Sequence, residues 1–199
     1  MSANPVELKA ALRRQLRAAA QKASPAERAA ASDQLRARLQ QQPCWRDARS
    51  VLLYFPLSDE PDIWPLAAAA LAAGKSVALP RHSPDHDRYL AAQITDATAD
   101  LRPGWFGVRE PVPECPIFPL NRLDLTLVPG VGFTFGGRRL GRGKGYYDRL
   151  LAEVSGFKCG VAFDWQMADE VPAEPHDVVL NCILTPSQWR EVARRAVLK

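Results

Sequence analysis

The residues with the plainest chemical potential stand in one short run of the 199-residue chain. Arg142 and Lys144 alternate with Gly141, Gly143 and Gly145, and Tyr146 and Tyr147 follow directly. Glycines let backbone N–H groups approach a ligand closely, and two cations among them favour an anion. An apolar run, 125 to 128, ends before them at Pro129-Gly130, and Tyr146 to Leu151 reads as the first turns of a helix. A helix N-terminus adds partial positive charge at that point. Strand, glycine loop and helix together read as a phosphate-binding loop. On residue types alone, a flexible hairpin with solvated charges stays equally open. Neither common glycine motif fits: Lys144 is followed by Gly145, not Ser or Thr, and the alternating glycines break the G-x-G-x-x-G spacing.

Other charged and aromatic residues carry weaker signals. Lys9, Arg13 and Arg17 recur every fourth residue and form a basic ridge beside the apolar stripe of Leu8, Leu12 and Leu16. By itself that ridge reads as a solvated face. Arg81 follows a short apolar run and is a weak candidate for an anionic group. His82 and His86 have metal-like spacing, but Pro84 lies between them, so a surface turn is expected and not a zinc site. Trp105 and Phe106 stand together in a proline-rich stretch, 95 to 123, read as a stiff loop. They either pack that loop onto the body or offer a flat lid to an aromatic ligand. A second loop, 164 to 177, is acidic.

The elements that must hold these residues alternate between apolar runs and helical patterns. Helices are expected over 5–22, 24–41, 62–73 and 145–154, with Ser24 and Glu27 forming a capping box. Strands are expected over 51–55, 77–79, 159–163 and 178–184, with a weaker one at 89–94. A last helix is expected from Pro186, capped by Thr185. This rhythm predicts an α/β protein with a mainly parallel, Rossmann-like open sheet in one three-layer α/β/α domain spanning 1–199.

Composition narrows the class further. The apolar share of 47% suits a globular core, and a net charge of +4 suits a small anionic ligand but is too modest to argue for nucleic acid. No run approaches a membrane span and the first residues lack an apolar signal core. Cysteines 44, 115, 159 and 182 are scattered, which fits a reducing cytoplasm. A monomer acting on small molecules, with neither nucleic acid nor membrane as partner, is expected. An RNA-binding module is the competing class, but the aromatics do not interleave with the basic run. An unrelated sugar-phosphate enzyme is a third.

The segment RRLGRGKGYYDRLL, 138 to 151, resembles the signature of the 5-formyltetrahydrofolate cyclo-ligase family. KAALR at 9–13, YFPLSDEPD at 54–62, GWFGVREP at 104–111 and DWQMADEVPAEPHD at 164–177 follow the family's order. The resemblance implies ATP-dependent closure of 5-formyltetrahydrofolate to 5,10-methenyltetrahydrofolate, with ADP and phosphate released. It implies ATP contacts from Lys9, Arg13 and the segment Gly141, Arg142, Gly143, Lys144, Gly145, Tyr146 and Tyr147. It implies folate contacts from Phe55, Glu60, Phe106 and Arg142 to Tyr146. Arg142 and Lys144 would be the catalytic cations, and Asp148 and Asp177 the Mg²⁺ carboxylates. Which tyrosine meets folate and which the adenine side stays open. Thr134 and Asn181 depart from the pattern, since members often carry aspartate at both positions.

Overall fold

The computed structural model describes residues 4–174 and 177–193, and of Phe106 the backbone alone. Helices α1 (Pro5–Ala20) and α2 (Pro25–Gln40) open the chain, and a short α3 (Pro43–Arg46) leads into strand β1 (Ser50–Leu52). Asn4 caps α1, its side chain accepting from the Val6 N–H at 3.0 Å. The capping box of α2 is closed both ways: Glu27 N donates to Ser24 Oγ at 3.2 Å and Ser24 N to Glu27 Oε2 at 2.7 Å.

Helix α4 (Pro65–Ala72) then carries the chain to β2 (Ser76–Ser83), which turns back as β3 (Arg88–Ile94). A small hairpin, β4 (Leu101–Pro103) and β5 (Arg109–Pro111), precedes β6 (Leu125–Val128). A second small hairpin, β7 (Gly132–Phe133) and β8 (Arg139–Leu140), leads through the glycine loop to α5 (Tyr146–Glu153). Strands β9 (Phe157–Val161), β10 (Cys182–Leu184) and β11 (Trp189–Glu191) complete the order.

Seven strands form one sheet in the order β11-β10-β9-β6-β1-β2-β3. The five inner strands are parallel, and β3 and β11 pair antiparallel at the two edges. Side chains alternate across the sheet, as the pleat requires. Val51, Val77, Leu79, Leu125 and Leu127 join Leu35, Leu39, Leu66 and Ala67 of α2 and α4 in one core. Leu52, Ala78 and Val128 join Leu150 and Leu151 of α5 in another. The sheet is therefore the middle of three layers, and the α/β reading of the sequence agrees with it.

The topology also says where a ligand belongs. From β1 the chain adds β2 on one side, and β6 then lies on the other side of β1. The order reverses between β1 and β6, and in open α/β sheets ligands gather outside the carboxyl ends of strands at such a reversal.

Four sequence expectations fail here. Residues Trp189–Glu191 form a strand and not a helix. Thr185 Oγ1 does accept from Gln188 N at 3.1 Å, but Thr185 N also donates to Gln188 O at 2.8 Å, which closes a hairpin turn. A helix-capping signature and a tight turn draw on the same side-chain bond. The remainder of the expected helix, 194–199, lies outside the described residues. Strand β2 also runs past Pro80 to Ser83, because β3 pairs with it to its end while β1 pairs with it only as far as Ala78, so the missing Pro80 donor faces the side where pairing has stopped. His82 is consequently a buried strand residue and not part of a surface turn. Finally, the stretch 95–123 holds the β4–β5 hairpin and a 3₁₀ turn at Trp105–Gly107, so it is more ordered than its prolines suggest.

Candidate active site

A cavity of about 330 Å³ opens at this reversal. Tyr54, Phe55 and Glu60, from the segment after β1, line one wall, and Pro129 and Gly130, just past β6, line the floor. The glycine loop, Gly141 to Gly145, and the first turn of α5, Tyr146 to Asp148, close it. Two stretches far apart in sequence thus share one cavity.

The loop's shape follows from its glycines. Gly143 (φ +100°) and Gly145 (φ +70°) sit in left-handed conformations on either side of Lys144. Gly145 ends the loop as the residue before α5. Lys144 is exposed, and so contributes charge and no core packing.

Arg142 is the most engaged cation. Its Nη2 donates to Asp59 Oδ1 at 2.5 Å and to Glu60 Oε1 at 3.0 Å, and its Nε donates to Glu60 Oε1 at 3.2 Å. Glu60 is buried, and its Oε2 accepts from the Leu57 N–H at 3.1 Å. Burial pushes the Glu60 carboxyl above its ordinary range, and the Arg142 charge opposes that rise without cancelling it. Burial alone would lower the Arg142 guanidinium, but bonds to Asp59 and Glu60 raise it on balance.

Beneath the loop lies Arg139, a residue the sequence reading did not select. Its Nη2 donates to Asp148 Oδ1 at 2.6 Å and its Nη1 to Pro129 O at 3.3 Å. The guanidinium lies 5.5 Å from the Tyr147 ring centroid. A Cβ on Gly141 would stand 3.0 Å from Arg139 Nη1, so the glycine loop rests on this buried cation. Arg138 beside it is exposed. Arg138 lies in the turn before β8 and Arg139 begins the strand, and only the hairpin register says which of the two turns inward.

Aromatic side chains form a further wall. Tyr89 lies 5.3 Å from Tyr146 and 5.8 Å from Tyr147, centroid to centroid. Burial pushes the Tyr89 hydroxyl up to about 12 and Tyr147 well above its usual value. The Tyr146 hydroxyl donates to Asp87 Oδ1 at 2.7 Å. Tyr89 and Glu110 also line the cavity, and nothing in their sequence context marked them.

The remaining expected residues are placed as follows. Arg13 Nε donates to Gly141 O at 2.8 Å, and its guanidinium carbon is 3.5 Å from where a Gly143 Cβ would stand. It therefore backs the loop from α1. Lys9 is buried and donates to Glu174 Oε2 at 2.6 Å and Asp177 Oδ2 at 2.9 Å. Lys9 and Asp177 thus hold each other, and neither lines the cavity. The Phe106 side chain lies outside what is described, and Trp105 packs against His82 at 4.5 Å. Arg81 donates to the carbonyls of Val112, Pro113 and Cys115, so it anchors the proline-rich stretch. Asn181 Oδ1 accepts from Lys158 N at 2.7 Å, a strand-to-strand bond.

Among the described residues no group of three or more His, Cys, Asp or Glu side chains could hold a metal ion. A magnesium ion with phosphate and water oxygens needs fewer, one or two carboxylates. Asp148 fits that role, since it lines the cavity and gives one oxygen to Arg139. Among the described residues no helix is long and apolar enough to cross a membrane.

Residues 5–186 match the model of the 5-formyltetrahydrofolate cyclo-ligase family. The chain is 36% identical over 148 residues to a 5-formyltetrahydrofolate cyclo-ligase of Mycolicibacterium smegmatis, covering 70% of this chain and 75% of that one. It is 32% identical over 145 residues to the protein of that name from Escherichia coli K12, covering 71% and 80%. In three dimensions it is similar to the 5,10-methenyltetrahydrofolate synthetase of Aquifex aeolicus, with a TM-score of 0.85, 32% identity and 96% of each chain covered.

Proposed function

The chain belongs to the 5-formyltetrahydrofolate cyclo-ligase family, and from that premise we propose that it closes 5-formyltetrahydrofolate to 5,10-methenyltetrahydrofolate at the expense of ATP. The observation that carries this reading is the shared cavity. It joins a basic glycine loop suited to phosphates to a wall of Phe55, Glu60 and tyrosines suited to a flat polar ring.

The chemistry needs both halves. A formyl oxygen is a poor leaving group, and ring closure requires its loss. Attack of that oxygen on the γ-phosphorus breaks the bond to ADP and leaves the oxygen phosphorylated. The N10 lone pair then attacks the activated carbon, the C–O bond breaks, phosphate departs and N10 gives up its proton. Phosphoryl transfer depends mainly on positioning and on charge placed where it develops. In this reading Arg142 and Lys144 supply that charge, and the N–H groups of the loop orient the phosphates. Arg13 braces the loop from behind, and Lys9, on the same helix, would reach the nucleotide by giving up its contacts with Glu174 and Asp177. Phe55, Glu60 and Phe106 would hold the folate, and Tyr146 and Tyr147 would stand between it and the nucleotide. Asp148 would hold Mg²⁺, joined by Asp177 as the second carboxylate once Lys9 releases it. When bound, that ion neutralises charge on the phosphate oxygens.

Purified protein given 5-formyltetrahydrofolate, ATP and Mg²⁺ should develop the absorbance of the methenyl product and release ADP in equal amount. Omitting Mg²⁺ should stop both. Product without ATP consumption, or ATP hydrolysis indifferent to the folate, would overturn the assignment.

A further inference from the structure

Arg142 lies at the junction of two cavities. It lines the main one with Glu60, and with Asp59 it lines a neighbouring cleft of about 520 Å³ whose walls include Arg17 and Arg28. Its guanidinium is shared between two carboxylates, 2.5 Å from Asp59 and 3.0 Å from Glu60. Two carboxylates already compete for this one cation. A nucleotide's phosphates are drawn to the basic walls but meet an Arg142 that is already committed.

The two carboxylates hold it differently. The Glu60 side chain is 6% exposed and fixed by the Leu57 N–H. That of Asp59 is 39% exposed and pairs with Arg142. Exposed pairs are weak and exchange readily with water. Glu60 is also the carboxylate that the folate contacts in the proposed function, on which this inference rests. The N–H groups of a reduced pterin draw on the negative charge that otherwise binds Arg142. With Glu60 so occupied, only the weaker Asp59 contact keeps the guanidinium from the phosphates.

We propose that Asp59 is a positioning residue that, with Glu60, keeps Arg142 turned from the nucleotide until folate fills its end of the cavity. Folate and nucleotide then bind with positive coupling, and by linkage each tightens the other by the same factor. Such couplings typically run from about fivefold to about 150-fold. The exposed Asp59 contact lowers nucleotide affinity by about two- to fivefold in either state.

The test is calorimetric. The dissociation constant of the non-hydrolysable β,γ-imido analogue of ATP, with Mg²⁺, is measured with and without saturating 5-formyltetrahydrofolate. In the native protein folate should tighten the analogue about tenfold. In Asp59→Asn the analogue should bind about two- to fivefold more tightly than to the native protein, both with and without folate, and the coupling, which comes from Glu60, should persist. Asp59→Ala should repeat the result, and melting temperatures report that each variant is folded. Unchanged analogue affinity in both variants overturns the proposal. Weaker analogue binding in Asp59→Asn also overturns it, because Asp59 would then present Arg142 to the nucleotide. Coupling near unity in a native protein that turns over both substrates refutes this inference alone. A native protein that neither binds nor converts 5-formyltetrahydrofolate removes the cyclo-ligase reading with it.

Discussion

Arg139→Ala tests whether the glycine loop depends on a buried cation. The side chain is 5% exposed, and its carboxylate partner Asp148 is 23% exposed. Breaking one side of a buried ion pair costs about 3–5 kcal/mol, because the other charge is left without a partner. Asp148 can regain some water, which moves the expected cost to about 2–3 kcal/mol. For a domain of this size each kcal/mol lowers the melting temperature by about 2–4 °C, so a fall of about 4–12 °C is expected. The informative experiment is the full cycle with Asp148→Ala. Removing both partners leaves no unpaired charge, so the double variant should melt no lower than Arg139→Ala, and the two losses should not add. Thermal unfolding of the four proteins at neutral pH gives the coupling directly. Losses that add to within about 0.5 kcal/mol would refute the argument, because independent sites behave that way.

Lys144→Ala should lower turnover by about 10²–10³-fold, by analogy with the removal of one oxyanion donor, at an unchanged melting temperature. Arg138→Ala, at an exposed turn position, should stay near native in both respects. A large loss of stability in Lys144→Ala would make that lysine a brace for the loop. The third expectation concerns Lys9 and pH. Burial lowers its pKa, but hydrogen bonds to Asp177 and Glu174 outweigh this and raise it above 10.5. A base raised on folding contributes stability that is fully present below its unfolded pKa and is lost as pH rises through the folded one. The melting temperature gap between the native protein and Lys9→Met should therefore be constant through neutral pH and close in the alkaline range, above about 10.4. A gap that persists there would mean that packing of the lysine stem, and not its charge, holds the contact.

The fold was legible where residue pattern and geometry share a period. Val51, Leu52 and Leu53 read as one apolar run because both faces of that strand are covered, by separate cores. The capping box of Ser24 and Glu27 is local, and it formed as the spacing predicts. Illegible features depend on partners distant in sequence. Pro80 looks like a strand end until the antiparallel β3 lies beside it. Thr185 looks like a helix cap until Trp189 pairs with Leu184. In the site, the glycines and cations of 141–145 announced themselves by type. Arg139 did not, because nothing in Arg138-Arg139 says which side chain turns inward. The grip of Asp59 and Glu60 on Arg142 joins residues more than eighty positions apart, and no local pattern encodes it.

The glycines of the loop carry unlike demands. At Gly141 the constraint is volume, since a side chain would press on the Arg139 guanidinium. At Gly143 and Gly145 it is handedness, with φ at +100° and +70° and no comparably close neighbour. A library that keeps the loop's amino-acid composition but permutes its order would therefore fail at separate positions for separate reasons. Repacking the Arg139 side would relieve the first constraint and leave the second untouched. For anyone redesigning this loop, space and chirality are independent variables, set two positions apart.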